Sequence, residues 1–155
     1  MTTEQLRHRM PPILKALKER SLRGRTPVEG LRRTECAYHG WDTVHADAAS
    51  WEPFAPGDAF GGLEAHHCFK GTVTLPEASA RKRVVCLVST GASDIWNNNN
   101  PQFLAYVDGR LVCGLDVNHN EFDLAACAVP GESHELALYV YCNTPARDVF
   151  LRVET

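Results

Sequence analysis

The stretch Asn97–Leu124, NNNNPQFLAYVDGRLVCGLDVNHNEFDL, decides the fold class of this chain. Phe103, Ala105 and Val107 alternate with Leu104 and Tyr106, which is the period of a strand, and both sets are apolar enough for burial on both faces. Asp108-Gly109 separates this run from Leu111 and Val112. A two-residue type I′ turn needs positive φ at both central positions, which Asp and Gly tolerate, so the segment is expected to form a hairpin.

Other runs with the same period lie on either side. Leu136, Leu138, Val140 and Cys142 alternate with Ala137, Tyr139 and Tyr141 after a turn at Pro130-Gly131, and Val149, Leu151 and Val153 alternate with Phe150, Arg152 and Glu154. Upstream, Phe69, Val73 and Leu75 alternate with Lys70, Thr72 and Thr74, Val85 and Leu87 flank Cys86, and Phe122–Leu124 is a further short run. About seven or eight strands separated by turns predict an all-β antiparallel sandwich, not a parallel α/β sheet. At the N-terminus, Pro11-Pro12 interrupts any helix begun near residue 4, and proline suits a first helical turn. The helix is therefore expected over Pro12–Leu22, with Ile13, Leu14 and Leu17 on one face and Gly24 as its stop. From Arg25 to Ala49 the periodicity is weak and the stretch reads as an extended linker. The expected division is residues 1–49, helix and linker, and residues 50–155, sandwich.

Bulk properties fit one globular domain: 155 residues, 44% hydrophobic and 23% charged. The start, MTTEQLRHRMPP, lacks the apolar core of a secretion signal, and no run approaches the roughly 18 apolar residues of a membrane span, so a cytoplasmic protein is expected. The six cysteines then read as reduced thiols, with Cys86, Cys113 and Cys142 inside strand-like runs. Charge is uneven. Residues 1–33 hold nine basic and three acidic side chains, a balance of +6, whereas the rest holds seven basic and 16 acidic, a balance of −9. Such a basic start suits a strap against an acidic partner, and neither nucleic acid nor membrane is expected as a partner.

Spacing argues against the obvious metal sites. The chain contains no Cys-x-x-Cys, and His66, His67 and Cys68 are consecutive, so on a strand they alternate between faces and cannot converge on one ion. Asp116-x-Asn118-x-Asn120 starts like a calcium loop but has Glu121 where an EF-hand needs glycine and Cys127 where it needs glutamate; a different calcium geometry stays open. Asp116, Asn118 and His119 read either as carbohydrate contacts or as a hydrogen-bonded turn that fixes the chain after the hairpin. Trp96 with Asn97 offers an aromatic plate beside amide groups, the combination a sugar needs, or else a core tryptophan. No local pattern for nucleophilic catalysis, a dinucleotide or a P-loop is present. No catalytic residue and no metal ligand is assigned.

The words Tyr106-Val107-Asp108-Gly109 and Gly114-Leu115-Asp116-Val117-Asn118-His119 resemble the N-terminal β-domain of family 38 glycoside hydrolases, the cytosolic and bacterial-type α-mannosidases. Trp51-Glu52-Pro53-Phe54, Gly57-Asp58-Ala59-Phe60-Gly61-Gly62, Leu75-Pro76-Glu77 and Asn100-Pro101-Gln102 fit in the same order, while Phe60, Glu64 and Cys68-Phe69-Lys70 depart from the family's pattern. The resemblance implies a jelly-roll sandwich of galactose-binding type behind an N-terminal α-helix. It also implies a partner, either an α-mannosidase catalytic domain or another subunit, with zinc held in that separate catalytic barrel and no cofactor on this chain. The resulting expectation is a non-catalytic N-terminal domain with a structural, interface role. The alternative is a stand-alone carbohydrate-binding module that takes mannosides through Trp96, and a small independent glycosidase or metalloenzyme is the third.

Overall fold

The computed structural model describes residues 3–21, 24–38, 40–91, 101–144 and 150–155. It is an antiparallel β-sandwich. Among the described residues nine strands form two sheets, a six-stranded one in the order β2-β1-β3-β8-β5-β6 and a three-stranded one in the order β7-β4-β9. The strands are β1 (Leu31–Glu35), β2 (Glu52–Phe54), β3 (Gly62–Thr74), β4 (Val84–Ser89), β5 (Gln102–Val107), β6 (Arg110–Leu115), β7 (Glu121–Ala125), β8 (Ser133–Thr144) and β9 (Arg152–Glu154). From β3 onward the chain passes repeatedly from one sheet to the other, the wiring of a jelly roll.

The period-two reading of β5 and β8 holds, and the expected hairpin joins β5 to β6, whose register shifts at Val112. Asp108 and Gly109 have φ of 50° and 74°, and Val107 pairs with Arg110 across a two-residue turn. The Asp108 carboxylate also accepts from the Glu135 N–H at 2.9 Å and contacts His134 Nδ1 at 2.8 Å, so the turn is pinned to β8. The His134 contact, and next the Glu135 N–H, hold the Asp108 carboxyl below the usual carboxylate range.

Between the sheets, Phe69 and Val73 of β3, Phe103 and Ala105 of β5, and Leu136, Leu138, Val140 and Cys142 of β8 meet Cys86, Val88, Phe122, Leu124 and Val153 of the smaller sheet. Each fully buried apolar side chain of this kind contributes about 1.5–3 kcal/mol relative to exposure. Phe60 sits at the centre, its ring edge-on to Phe69 at 5.2 Å. Gly71 of β3 leaves room for β1, since a Cβ there would lie 2.8 Å from Leu31 Cδ2.

The larger sheet is covered on its outer face as well. A 3-10 helix at Gly40–His45 lays Val44 against Trp51, Cys68, Tyr106, Ala137 and Tyr139, a second small core. Lys70, buried on this face, donates to the Ala46 carbonyl at 2.9 Å and pairs with Glu135 at 3.2 Å, which ties the covering loop to the sheet.

Two local expectations change. The stretch expected to be a linker contributes β1, which lies between β2 and β3. Its sequence LRRTE hides the strand because Leu31 is its one large apolar residue, while Arg32 reaches the Ala49 and Trp51 carbonyls instead of solvent alone. The helix, α1, spans Thr3–Ser21 and runs through Pro11 and Pro12 instead of starting there. Each proline removes a hydrogen bond and costs up to about 3 kcal/mol in a helix interior, yet strong helix formers on either side carry the turn through. Residues 7–17 of α1 are exposed, among them Met10, Ile13, Leu14 and Leu17. No helix among the described residues is long and apolar enough to cross a membrane.

Gly71→Ala must displace Leu31 from a filled site and is expected to lower stability by about 1–2 kcal/mol, read as a shift of the urea midpoint at unchanged slope. His67 is 1% exposed and neither ring nitrogen has a well-aligned partner. Burial, then the charge of Arg33, pushes its pKa below the ordinary 6.5. The unfolded chain thus binds the proton first, so stability is complete above about pH 6.5 and falls as pH drops from there towards the folded value. His67→Leu should flatten this acid-side loss in melting temperature between pH 7 and 5.

Candidate functional site

The outer face of the larger sheet is capped over only part of its length. Beyond the 3-10 helix it opens into a groove of about 710 Å³ lined by Cys36, Ala37, Tyr38, Trp41, Glu64, His66, Gln102, Leu104, Tyr139 and Tyr141. A shallower depression of about 350 Å³ shares Gln102, Leu104, Tyr139 and Tyr141 and continues to Gly114, Asp116 and His119. The two form one trough across β3, β8, β5 and β6.

Alternation along the strands builds the floor. Tyr139 and Tyr141 point outward because Leu138, Val140 and Cys142 point into the core. Register then sets His66 opposite Tyr141 and Gln102 opposite Tyr141 on the other side. The His66 ring lies nearly parallel to Tyr139, with centroids 5.8 Å apart, and its Nδ1 is 2.8 Å from the Tyr139 hydroxyl. The wall comes from the segment before the 3-10 helix and from its start. Trp41 meets Tyr139 edge-on at 6.2 Å, and the Tyr38 ring lies 5.5 Å from His66. Tyr38 is 70% and Trp41 37% exposed, so both offer ring surface to a ligand.

Glu64 reaches the groove through a backbone irregularity. The β3–β8 register shifts between Gly62 and Ala65, a bulge that re-aims the side chains within it. Gly62 has φ of 148° and a Cβ there would sit 2.9 Å from Ala65 Cβ, so glycine is required. Glu64 takes φ of 54°, a left-handed conformation that is strained for a residue with a side chain. Its N–H donates to Asn143 Oδ1 at 3.3 Å, and its Oε1 accepts from the Tyr141 hydroxyl at 3.3 Å.

Beneath the wall, Cys36 Sγ and Cys68 Sγ are 3.5 Å apart as free thiols. Burial pushes both thiols up, Cys68 the further, so neither is a ready thiolate nucleophile.

Of the residues singled out from sequence, Trp96 and Asn97 lie outside the described residues. Asp116 heads a tight turn: its Oδ1 accepts from the N–H groups of Asn118 at 2.8 Å and His119 at 2.7 Å, and its own N–H donates to the His119 carbonyl at 3.0 Å. The His119 N–H, and next that of Asn118, hold the Asp116 carboxyl below the usual range. The turn reading thus describes Asp116, Asn118 and His119, while Asp116 and His119 also edge the shallower depression. His66 and Cys68 face outward and His67 inward, as alternation requires, and among the described residues no three of His, Cys, Asp and Glu gather as a ligand set. Sequence reasoning missed Tyr38, Glu64, Gln102 and Tyr139 as groove residues. The pair Tyr139 and Tyr141 on one strand face was the available signal.

The chain matches no protein-family model and no curated protein. Solved structures do share its fold. A β-glucuronidase from Ruminococcus gnavus, in complex with C6-substituted uronic isofagomine, superposes with a TM-score of 0.53 at 10% identity, over 77% of this chain and 22% of that one. The apo structure of β-glucuronidase from the same organism gives 0.52 at 9% identity, over 78% and 22%. Faecalibacterium prausnitzii β-glucuronidase gives 0.49 at 18% identity, over 77% and 21%. This chain spans about a fifth of the length of those enzymes, and at such identities the likeness is one of fold. The resemblance to family 38 α-mannosidases is corrected by these findings: no family model supports it, and the structural neighbours are β-glucuronidases. The mannosidase partner, its zinc barrel and mannoside specificity, all inferred through that resemblance, lose that support.

Proposed function

We propose that this chain is a non-catalytic, carbohydrate-binding β-sandwich domain of a glycoside hydrolase. The observation that carries the reading is the aromatic trough, in which Tyr38 and Trp41 flank a floor of Tyr139 and Tyr141, with Glu64 and Gln102 as polar groups. A pyranose has an apolar C–H face that stacks on such rings and a rim of hydroxyls that needs a few placed acceptors and donors. Likeness to a sandwich portion of solved glycosidases supports the association with that class.

Hydrolysis within the trough is disfavoured on its own chemistry. Glycosidic cleavage ordinarily needs two carboxylates about 5–9.5 Å apart, with one carrying a proton. Among the described residues lining the deeper groove, Glu64 is the one carboxylate, and the Asp116 Oδ1 in the adjoining depression is held by backbone N–H groups.

A second role, as an interface beside another domain or subunit, is favoured by α1. Met10, Ile13, Leu14 and Leu17 fall at the i, i+3, i+4, i+7 spacing of one helix face and are all exposed.

Each role has its own test. On a broad oligosaccharide panel the chain should retain at least one ligand, and Tyr38→Ala or Trp41→Ala should weaken it by about tenfold, since one aromatic contact contributes about 1 kcal/mol or more. Tyr38→Ala should do so with little change in melting temperature, because Tyr38 is exposed. A panel with no retained ligand ends the carbohydrate role. For the interface, sedimentation at rising concentration should show self-association that Leu14→Glu with Leu17→Glu abolishes, and a strictly monomeric parent chain ends that role.

A further inference from the structure

We infer that the trough selects neutral glycans and excludes acidic ones, such as uronates and sulfated sugars. The inference rests on the carbohydrate reading above and adds the charge of the ligand. Among the described residues lining either half of the trough there is no lysine and no arginine, whereas Glu64 stands in the deeper half and Asp116 in the shallower. Recognition of a carboxylate or sulfate on a sugar ring rests on a guanidinium or ammonium placed to pair with it.

The nearby lysine and arginines are occupied elsewhere. Lys70, on the same sheet face, is held between the Ala46 carbonyl and Glu135. Arg32 donates to the Ala49 and Trp51 carbonyls, and Arg33 pairs with Glu52 at 2.9 Å. The imidazole of His66 is committed to Tyr139 at its Nδ1.

Glu64 is built into its place. The left-handed backbone, the glycine at Gly62 and the Asn143 amide oxygen on its N–H set the main chain, and the Tyr141 hydroxyl on Oε1 directs the exposed carboxylate to the trough wall. With one lone pair engaged by Tyr141, the remaining acceptor capacity of the carboxylate suits the hydroxyls of a neutral sugar. An anionic substituent on the same ring would instead meet a like charge at the exposed trough wall, a repulsion that added salt screens.

The experiment compares immobilised neutral oligosaccharides of the cello-, manno- and galacto- series with acidic ones, namely oligogalacturonate, hyaluronan and heparan sulfate fragments. Binding to at least one neutral series is expected, with acidic ligands roughly tenfold weaker or absent at low salt, a gap that narrows as salt is added. Glu64→Gln keeps the size and one acceptor while removing the charge, and should bring acidic ligands of matching linkage to within about threefold of neutral ones. Glu64→Asn is the companion variant, since asparagine tolerates the left-handed backbone, and both are checked by their melting curves. Acidic fragments bound as tightly as neutral ones by the parent chain overturn the charge selection and leave the carbohydrate role standing. A gap that persists in both folded variants overturns the part given to Glu64. No binding to any series overturns the carbohydrate role, and the charge selection with it.

Discussion

The pairing of β3 with β8 is the constraint on which the rest depends. These are the longest strands, 13 and 12 residues, and they run antiparallel side by side through the middle of the larger sheet. Because successive side chains on a strand alternate, one register settles two surfaces at once. Phe69 opposite Leu138 and His67 opposite Val140 face the smaller sheet, and Cys68 opposite Tyr139 and His66 opposite Tyr141 face outward. A slip of one residue would exchange the core for the trough. The hairpin of β5 and β6 inherits the same register through β8, with Asp108 as a second anchor at the turn.

The outer face is used in two ways along its length. Where Val44 and Trp51 close over it, Cys68, Tyr106, Ala137 and Tyr139 are buried and Lys70 is neutralised by Glu135. Where the cover ends, the same strands present Tyr141 and Leu104 in the trough, with the largely buried Tyr139 at the boundary. Rings that would otherwise be an exposed apolar patch are held in position by one another, Trp41 on Tyr139 and Tyr38 on His66, so the proposed carbohydrate surface would need little ordering on binding. The bulge at Gly62–Ala65 adds the polar group that such a surface lacks.

Much of the sandwich was legible in the sequence. The Asp108-Gly109 turn, the doubly buried β5 and the two faces of β8 follow from alternation and turn chemistry alone, since each depends on neighbours a few residues apart. The strand β1 was not legible, because Arg32 is satisfied by the backbone carbonyls of residues 49 and 51 and Arg33 by the Glu52 carboxylate, all distant in sequence. The candidate site was not read as such from the sequence, where, of its members, only Trp41 stood out as an aromatic that a sugar could use and Tyr139 and Tyr141 appeared as one strand face. Its members, Tyr38 and Trp41 from one loop, Glu64 from a bulge and Gln102 from a strand start, are brought together by register and by a cover segment, neither of which a single sequence displays. Asparagine and aspartate near a hairpin were read both as sugar contacts and as a turn, and for Asp116 local backbone bonding accounts for both lone-pair directions on one oxygen.

Thr26 and Thr155 exchange both of their backbone hydrogen bonds, at 2.9 Å each, and the Val28 N–H donates to the Val153 carbonyl at 2.8 Å. The first extended segment of the sandwich therefore lies along its last strand and covers the open edge of the smaller sheet. Entry and exit are neighbours in space, so polypeptide fused before Thr26 and after Thr155 would emerge from one spot, and the domain could be spliced into a loop of a host protein without prising that loop apart.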